Sequence, residues 1–131
     1  LIIVALLLTV IDLVFIKYIL IHPFGKMIQN IQLSEFKPNT MYVFIPYVLM
    51  IFGILFFSLA YVNKENLFKD SLIYGGLLGL VIFGVYEFTN MSVFKNYNLH
   101  VAIFDTLWGI TLFTIVTFLS KKTLLYFKDL I

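Results

Sequence analysis

The sequence predicts an all-α membrane protein: a four-transmembrane-helix antiparallel bundle with a short interfacial helix in the first loop. Three observations carry that expectation. Hydrophobic residues make up 62% of the chain and charged residues only 12%, against about 45–50% apolar residues in soluble domains. The apolar residues gather into four stretches, each approaching the ~20 residues needed to cross ~30 Å of hydrocarbon. Three acids, Asp12, Glu87 and Asp105, lie inside or at the edge of those stretches. An acid at the centre of a bilayer helix costs on the order of 2.5–3.5 kcal/mol, so these three must find partners inside the bundle. A length of 131 residues leaves room for one transmembrane domain, 1–131, and no more.

The first span is expected at 1–21, broken by Asp12 and Lys17. It is too long for the apolar core of a signal peptide and lacks a small-residue cleavage site, so it reads as a span that is retained. The chain opens on Leu rather than Met, and further residues are expected before it. The second span, 41–62, has no charge, the third, 71–88, is short, and the fourth covers 101–119. Only helices can make these crossings, because lipid offers the backbone no partners and four such segments cannot close a barrel.

In the first loop, Pro23 suits a first helical turn. Phe24, Met27, Ile28 and Ile31 then share one helical face, with Lys26, Gln29, Asn30 and Gln32 on the other. Residues 24–33 are therefore expected to lie as a helix in the interface plane, or else to form a structured loop packing those apolar groups on the bundle. Pro38 and Asn39 turn the chain into the second span, where Pro46 falls early enough to kink the helix rather than break it. The tail 121–131 is expected to prolong the fourth helix, its lysines acting as topology anchors. Four spans put both termini on one side of the membrane. Lys64, Lys69, Lys121, Lys122 and Lys128 fall on that side, and Lys26, Lys37 and Lys95 on the other. The positive-inside rule then favours cytoplasmic termini.

Several function classes are excluded. There is no Cys, hence no disulfide, thiolate metal site or cysteine nucleophile. A net charge of +2 carried by scattered lysines gives no footprint for nucleic acid. Neither G-x-S-x-G nor H-E-x-x-H occurs. Asp12, Glu87, Asp105 and His100 could supply hard ligands, but no ligand pair has tight spacing and Lys17 could neutralise the same acids. No metal and no cofactor is expected.

At 1.5 Å rise per residue, Lys17, Glu87 and Asp105 fall in one layer near the same membrane face, with Asp12 roughly 7–8 Å deeper. Tyr86, Thr89, Asn90 and His100 are near enough to join them. Trp108, one turn from Asp105, is placed to donate its indole N–H or to cap the cluster. The cluster reads either as architecture that sets helix register or as an ion, proton or substrate site. Gly75, Gly76, Gly79 and Gly84 crowd the third span, with Gly75 and Gly79 in small-xxx-small spacing. They serve either close packing inside one bundle, the favoured reading, or a homo-oligomer face.

Tyr86-Glu87-Phe88-Thr89-Asn90, then Phe94-Lys95-Asn96, then Asp105-Thr106-Leu107-Trp108-Gly109 resembles the "YDLTN…LK.W…D..WG" core of the membrane-protein family known as domain of unknown function 2177. Asp12 resembles that family's "D..WL" acid, and Gly75–Gly84 resembles its glycine run, so the likeness spans from about Asp12 to Leu119. Glu87 stands where the pattern has Asp, and Phe15 where it has Trp. The resemblance implies a compact four-span fold with a polar centre at Asp12, Glu87, Asn90, Asp105 and Trp108, and it implies no activity. Small size and the lack of catalytic motifs favour a non-enzymatic role: a structural or assembly component of a membrane or membrane complex, with lipid and other proteins as partners. The alternative is a small transporter or ion- or proton-binding protein using the intramembrane carboxylates.

Overall fold

The computed structural model describes residues 1–130. Among them there is no β-strand, and four helices are long and apolar enough to cross a membrane. We number them α1 (Ile2–Gln32), α2 (Thr40–Tyr61), α3 (Lys64–Val93) and α4 (Leu99–Leu130). The fourth helix does continue through the tail to Leu130.

Helix faces follow the apolar pattern with the sign expected in lipid. In the first half of α1, up to Phe15, the buried residues are Val4, Leu8, Asp12 and Phe15, one stripe at helical spacing. Leu6, Val10, Leu13 and Val14 occupy the outer face. Asp12 therefore points inward because it sits in register with Val4 and Leu8. In α3 the inward line runs through Gly75, Gly79 and Glu87, while Leu77, Val81 and Val85 face out. The centre of the bundle is α4, with 56% of its most apolar window buried against 22% in each of the other helices. Leu112, Phe113 and Val116 of α4 meet Val4 and Leu8 of α1 and Met50 and Ile54 of α2 in the main core.

The glycines of α3 face α4. A Cβ added at Gly79 would run into the Gly109 carbonyl oxygen, and one at Gly75 would lie 2.7 Å from the Phe113 carbonyl oxygen. At Gly76 it would come within 2.9 Å of Thr114 Oγ1. Gly75, Gly76 and Gly79 are thus consumed inside the bundle, where absent side chains let two backbones approach. They do not form an outward face for a second copy. Gly84 is looser, with the nearest atom, Thr106 Cγ2, 3.7 Å from an added Cβ.

The first loop differs from expectation. The segment after Pro23 is helical to Gln32, but it is continuous with the first span rather than a separate interfacial helix. A widened π turn at Ile16–Leu20 precedes Pro23. Proline lacks the N–H that Ile19 would receive, and a wider turn is one way a helix absorbs such a defect. The apolar face of the segment is covered, since Met27 packs with Tyr97, just before α4, and with Val101 and Ala102 at its start, flanked by Phe24, Ile28 and Ile31.

This helix ends at Leu33 with φ 58°, a left-handed cap, its N–H bonded to the Gln29 carbonyl at 2.9 Å. Glycine normally fills such a cap, since a side chain there costs roughly 1–2 kcal/mol. Leu33 is exposed and has little packing to lose. Leu33→Gly is expected to raise stability by up to about 1 kcal/mol after the added chain entropy is subtracted, read as a rise in melting temperature in detergent; a fall would count against this assignment of the cap.

Candidate functional site

The structure brings two polar groups together on the inner side of the bundle. In the first, α1 supplies Asp12, which is 5% exposed. Its Oδ1 accepts the Trp108 indole N–H at 2.9 Å, and its Oδ2 accepts the Tyr47 hydroxyl. Both carboxylate oxygens therefore have donors, one from α4 and one from α2. Trp108 is held by stacking on Phe15, with ring centroids 4.0 Å apart and planes 8° from parallel. Phe15 stacks in turn on Phe104. Where the family pattern has Trp, Phe15 thus provides a flat face that holds the neighbouring indole donor.

The second group is built on Glu87, which is 0% exposed. Its Oε2 accepts the Tyr97 hydroxyl at 2.6 Å, and Asn90 Nδ2 lies 3.4 Å from the same hydroxyl. Tyr97 belongs to the loop between α3 and α4. Burial and the Glu87 bond push its phenol up from its ordinary value near 10, so it remains a donor. Glu87 Oε1 has no hydrogen-bond donor. The Asp105 carboxyl, 6% exposed, is a neighbour of the Glu87 carboxyl. No N–H or hydroxyl among the described residues donates to Asp105.

Asp105 and Asp12 both stand in the wall of a cleft of about 690 Å³. The cleft exists because α2 packs through Met50 and Ile54 but leaves its first turns, Thr40–Pro46, exposed. Asn39 caps those turns by accepting the Met41 N–H at 3.1 Å, and Pro46 lies within the helix without ending it. The splayed start of α2 forms one wall and Ile82, Phe83 and Tyr86 of α3 the other. A volume of this size falls in the range of about 300–1,000 Å³ of small-molecule sites, which likewise pair apolar walls with a few polar groups.

Not every residue expected in the cluster is in it. Lys17 is exposed and lies 5.3 Å from the Tyr18 ring centre. It pairs with no acid, and the ion pair found among the described residues is Lys37 with Glu35 at the surface. Facing outward lets its long stem reach the interface, which is cheaper than burying an ammonium. Thr89 and His100 are also exposed, and Tyr86 is half-exposed on the cleft. No group of three His, Asp or Glu residues suited to a metal occurs among the described residues.

Two functional neighbours escape the sequence reading, Tyr47 and Tyr97. The signal for Tyr47 is a phenol inside an apolar span, which needs a partner when buried. Tyr97 carries no such signal, because a tyrosine in a short loop is ordinary. No curated protein and no solved structure matches the chain. The profile of the predicted membrane proteins DUF2177 covers residues 1–121. With four apolar spans and a match over that length, the chain is an integral, multi-pass membrane protein that belongs to the DUF2177 family.

Proposed function

We propose that this protein binds, and in doing so carries, a small ligand within the membrane. The cleft among α1, α2 and α3 is the binding site, and Asp105, backed by Glu87, is its polar floor. The observation that supports this most is the contrast between the acids. Asp12 has a donor on each oxygen, whereas Asp105 meets the cleft with none and Glu87 keeps an unpartnered buried oxygen. A buried polar atom without a partner costs about 1–3 kcal/mol, and such groups persist where function uses them. Under the positive-inside assignment, both termini are cytoplasmic and the cleft lies toward the opposite face.

The architectural reading applies to Asp12, which ties α1 to α2 and α4. Extended to the whole network, that reading makes the protein an assembly component of a membrane complex. Thermal stability against a panel of amines, cations and lipids separates the two. A true ligand stabilises the native chain by mass action, about 2.7 kcal/mol at a hundredfold excess over its Kd. It is expected to leave Val43→Trp, which fills the cleft, and Asp105→Asn unshifted. If nothing in the panel shifts the native chain and Asp105→Asn is simply less stable, the acids are glue and the search moves to protein partners.

A further inference from the structure

We propose that the cleft takes a cationic amphiphile: a single-chain molecule with a protonated amine or quaternary ammonium head, the head lying at Asp105 and the chain along the apolar wall. This rests on the cleft being the ligand site, and it adds the ligand's chemical class.

Charge comes first. The cleft contains Asp12 and Asp105 and no Lys, Arg or His, so an anionic head would enter a site with no counter-charge. Asp12 is already spent on Tyr47 and Trp108. The free capacity therefore belongs to Asp105 and to Glu87 behind it, whose Oε1 is fully buried and without a donor. An ammonium head brings positive charge to a wall whose acid and base side chains are Asp12 and Asp105 alone. A divalent metal would want a richer set of oxygen ligands, and no third His, Asp or Glu joins the pair.

The rest of the wall fits the same molecule. Tyr42, Tyr47, Phe83 and Tyr86 line the cleft, and aromatic faces attract ammonium groups, most strongly when desolvated. Val43, Pro46, Leu49 and Ile82 supply a hydrocarbon surface beside them. A zwitterionic phospholipid fits less well, because its phosphate would find no cation in this wall.

The test is equilibrium binding to the purified full chain in a neutral maltoside detergent. The probes are decyltrimethylammonium, decanol and decanoate, each below its micelle concentration. The ammonium is expected to bind at least tenfold more tightly than the alcohol or the carboxylate. Asp105→Asn is expected to weaken it at least tenfold. Tyr86→Leu, at a half-exposed position on the cleft wall, is expected to weaken it several-fold, which keeps the proposal testable if Asp105→Asn fails to fold. Equal binding of all three probes, blocked by Val43→Trp, would keep the cleft as a ligand site and overturn its cation preference. Binding of none of the three, or binding that Val43→Trp leaves unchanged, would overturn both.

Discussion

Gly79→Val is expected to cost the protein about 3 kcal/mol, the upper end of what overpacking a well-fitted core costs. The reason is the atom it meets. A Cβ at Gly79 would collide with the Gly109 carbonyl oxygen and would also lie 3.0 Å from Phe113 Cβ. A side-chain neighbour could rotate away, but a carbonyl held in a helix cannot, so α3 and α4 must separate. From the other side, the space at Gly109 is filled by the Phe83 ring, and separation would open that contact too. Helix association in lipid depends on such van der Waals fit, since the lipid tails are as apolar as the side chains. Gly84→Ala is the control, because its Cβ would meet only ordinary contacts. There the helix-propensity gain of up to about 1 kcal/mol should leave stability equal or higher. Denaturant unfolding in mixed micelles reads both, and a Gly79→Val chain as stable as the native one would refute the assigned α3–α4 contact.

The second large effect is expected at Trp108. Trp108→Ala removes the Phe15 stacking partner, opens a cavity beside the main core, and takes the donor from Asp12 Oδ1. Truncating a fully buried Trp costs about 3–5 kcal/mol, and Trp108, partly buried, is expected near the lower end, about 3 kcal/mol. Trp108→Phe keeps most of the stack and removes only the indole N–H, so its cost should be nearer 1–2 kcal/mol, the range for a buried acceptor left without its donor. Interhelical hydrogen bonds in membranes average about 0.6 kcal/mol, but Asp12 is buried, so removing the indole also leaves Oδ1 an unsatisfied acceptor. Thermal unfolding of the two variants separates the terms. If Trp108→Phe cost as much as Trp108→Ala, the stack would contribute nothing; if both were neutral, the Asp12 node would not hold the helices together.

Much of the fold could be read from the chain. The four spans follow from segment length and hydropathy, and the inward position of Asp12 follows from its register with Val4 and Leu8. Of the glycine run, Gly75, Gly76 and Gly79 lie against α4 inside the bundle, whereas Gly84 is looser. The first-loop helix was legible as a helix but not as a continuation of the first span, because Pro23 reads as a start signal whether or not a helix precedes it. Lys17 departs from the expected cluster for a related reason. Spacing gives depth along a helix, and Lys17 shares its depth with the acids, but the stripe of Val4, Leu8 and Asp12 is what turns it outward.

The sequence by itself determined that the chain is a membrane-spanning helical bundle, because twenty-residue apolar segments have no other stable state in lipid. It also determined which residues are too polar to face that lipid. Only the tertiary structure decided how they divide: Asp12 satisfied by Tyr47 and Trp108, Glu87 left with an unpartnered buried oxygen, and Asp105 lining an open cleft. Hydropathy is a property of each residue in turn. Satisfaction belongs to pairs that lie 35 and 96 residues apart in the chain, and packing four helices is what brings those pairs together.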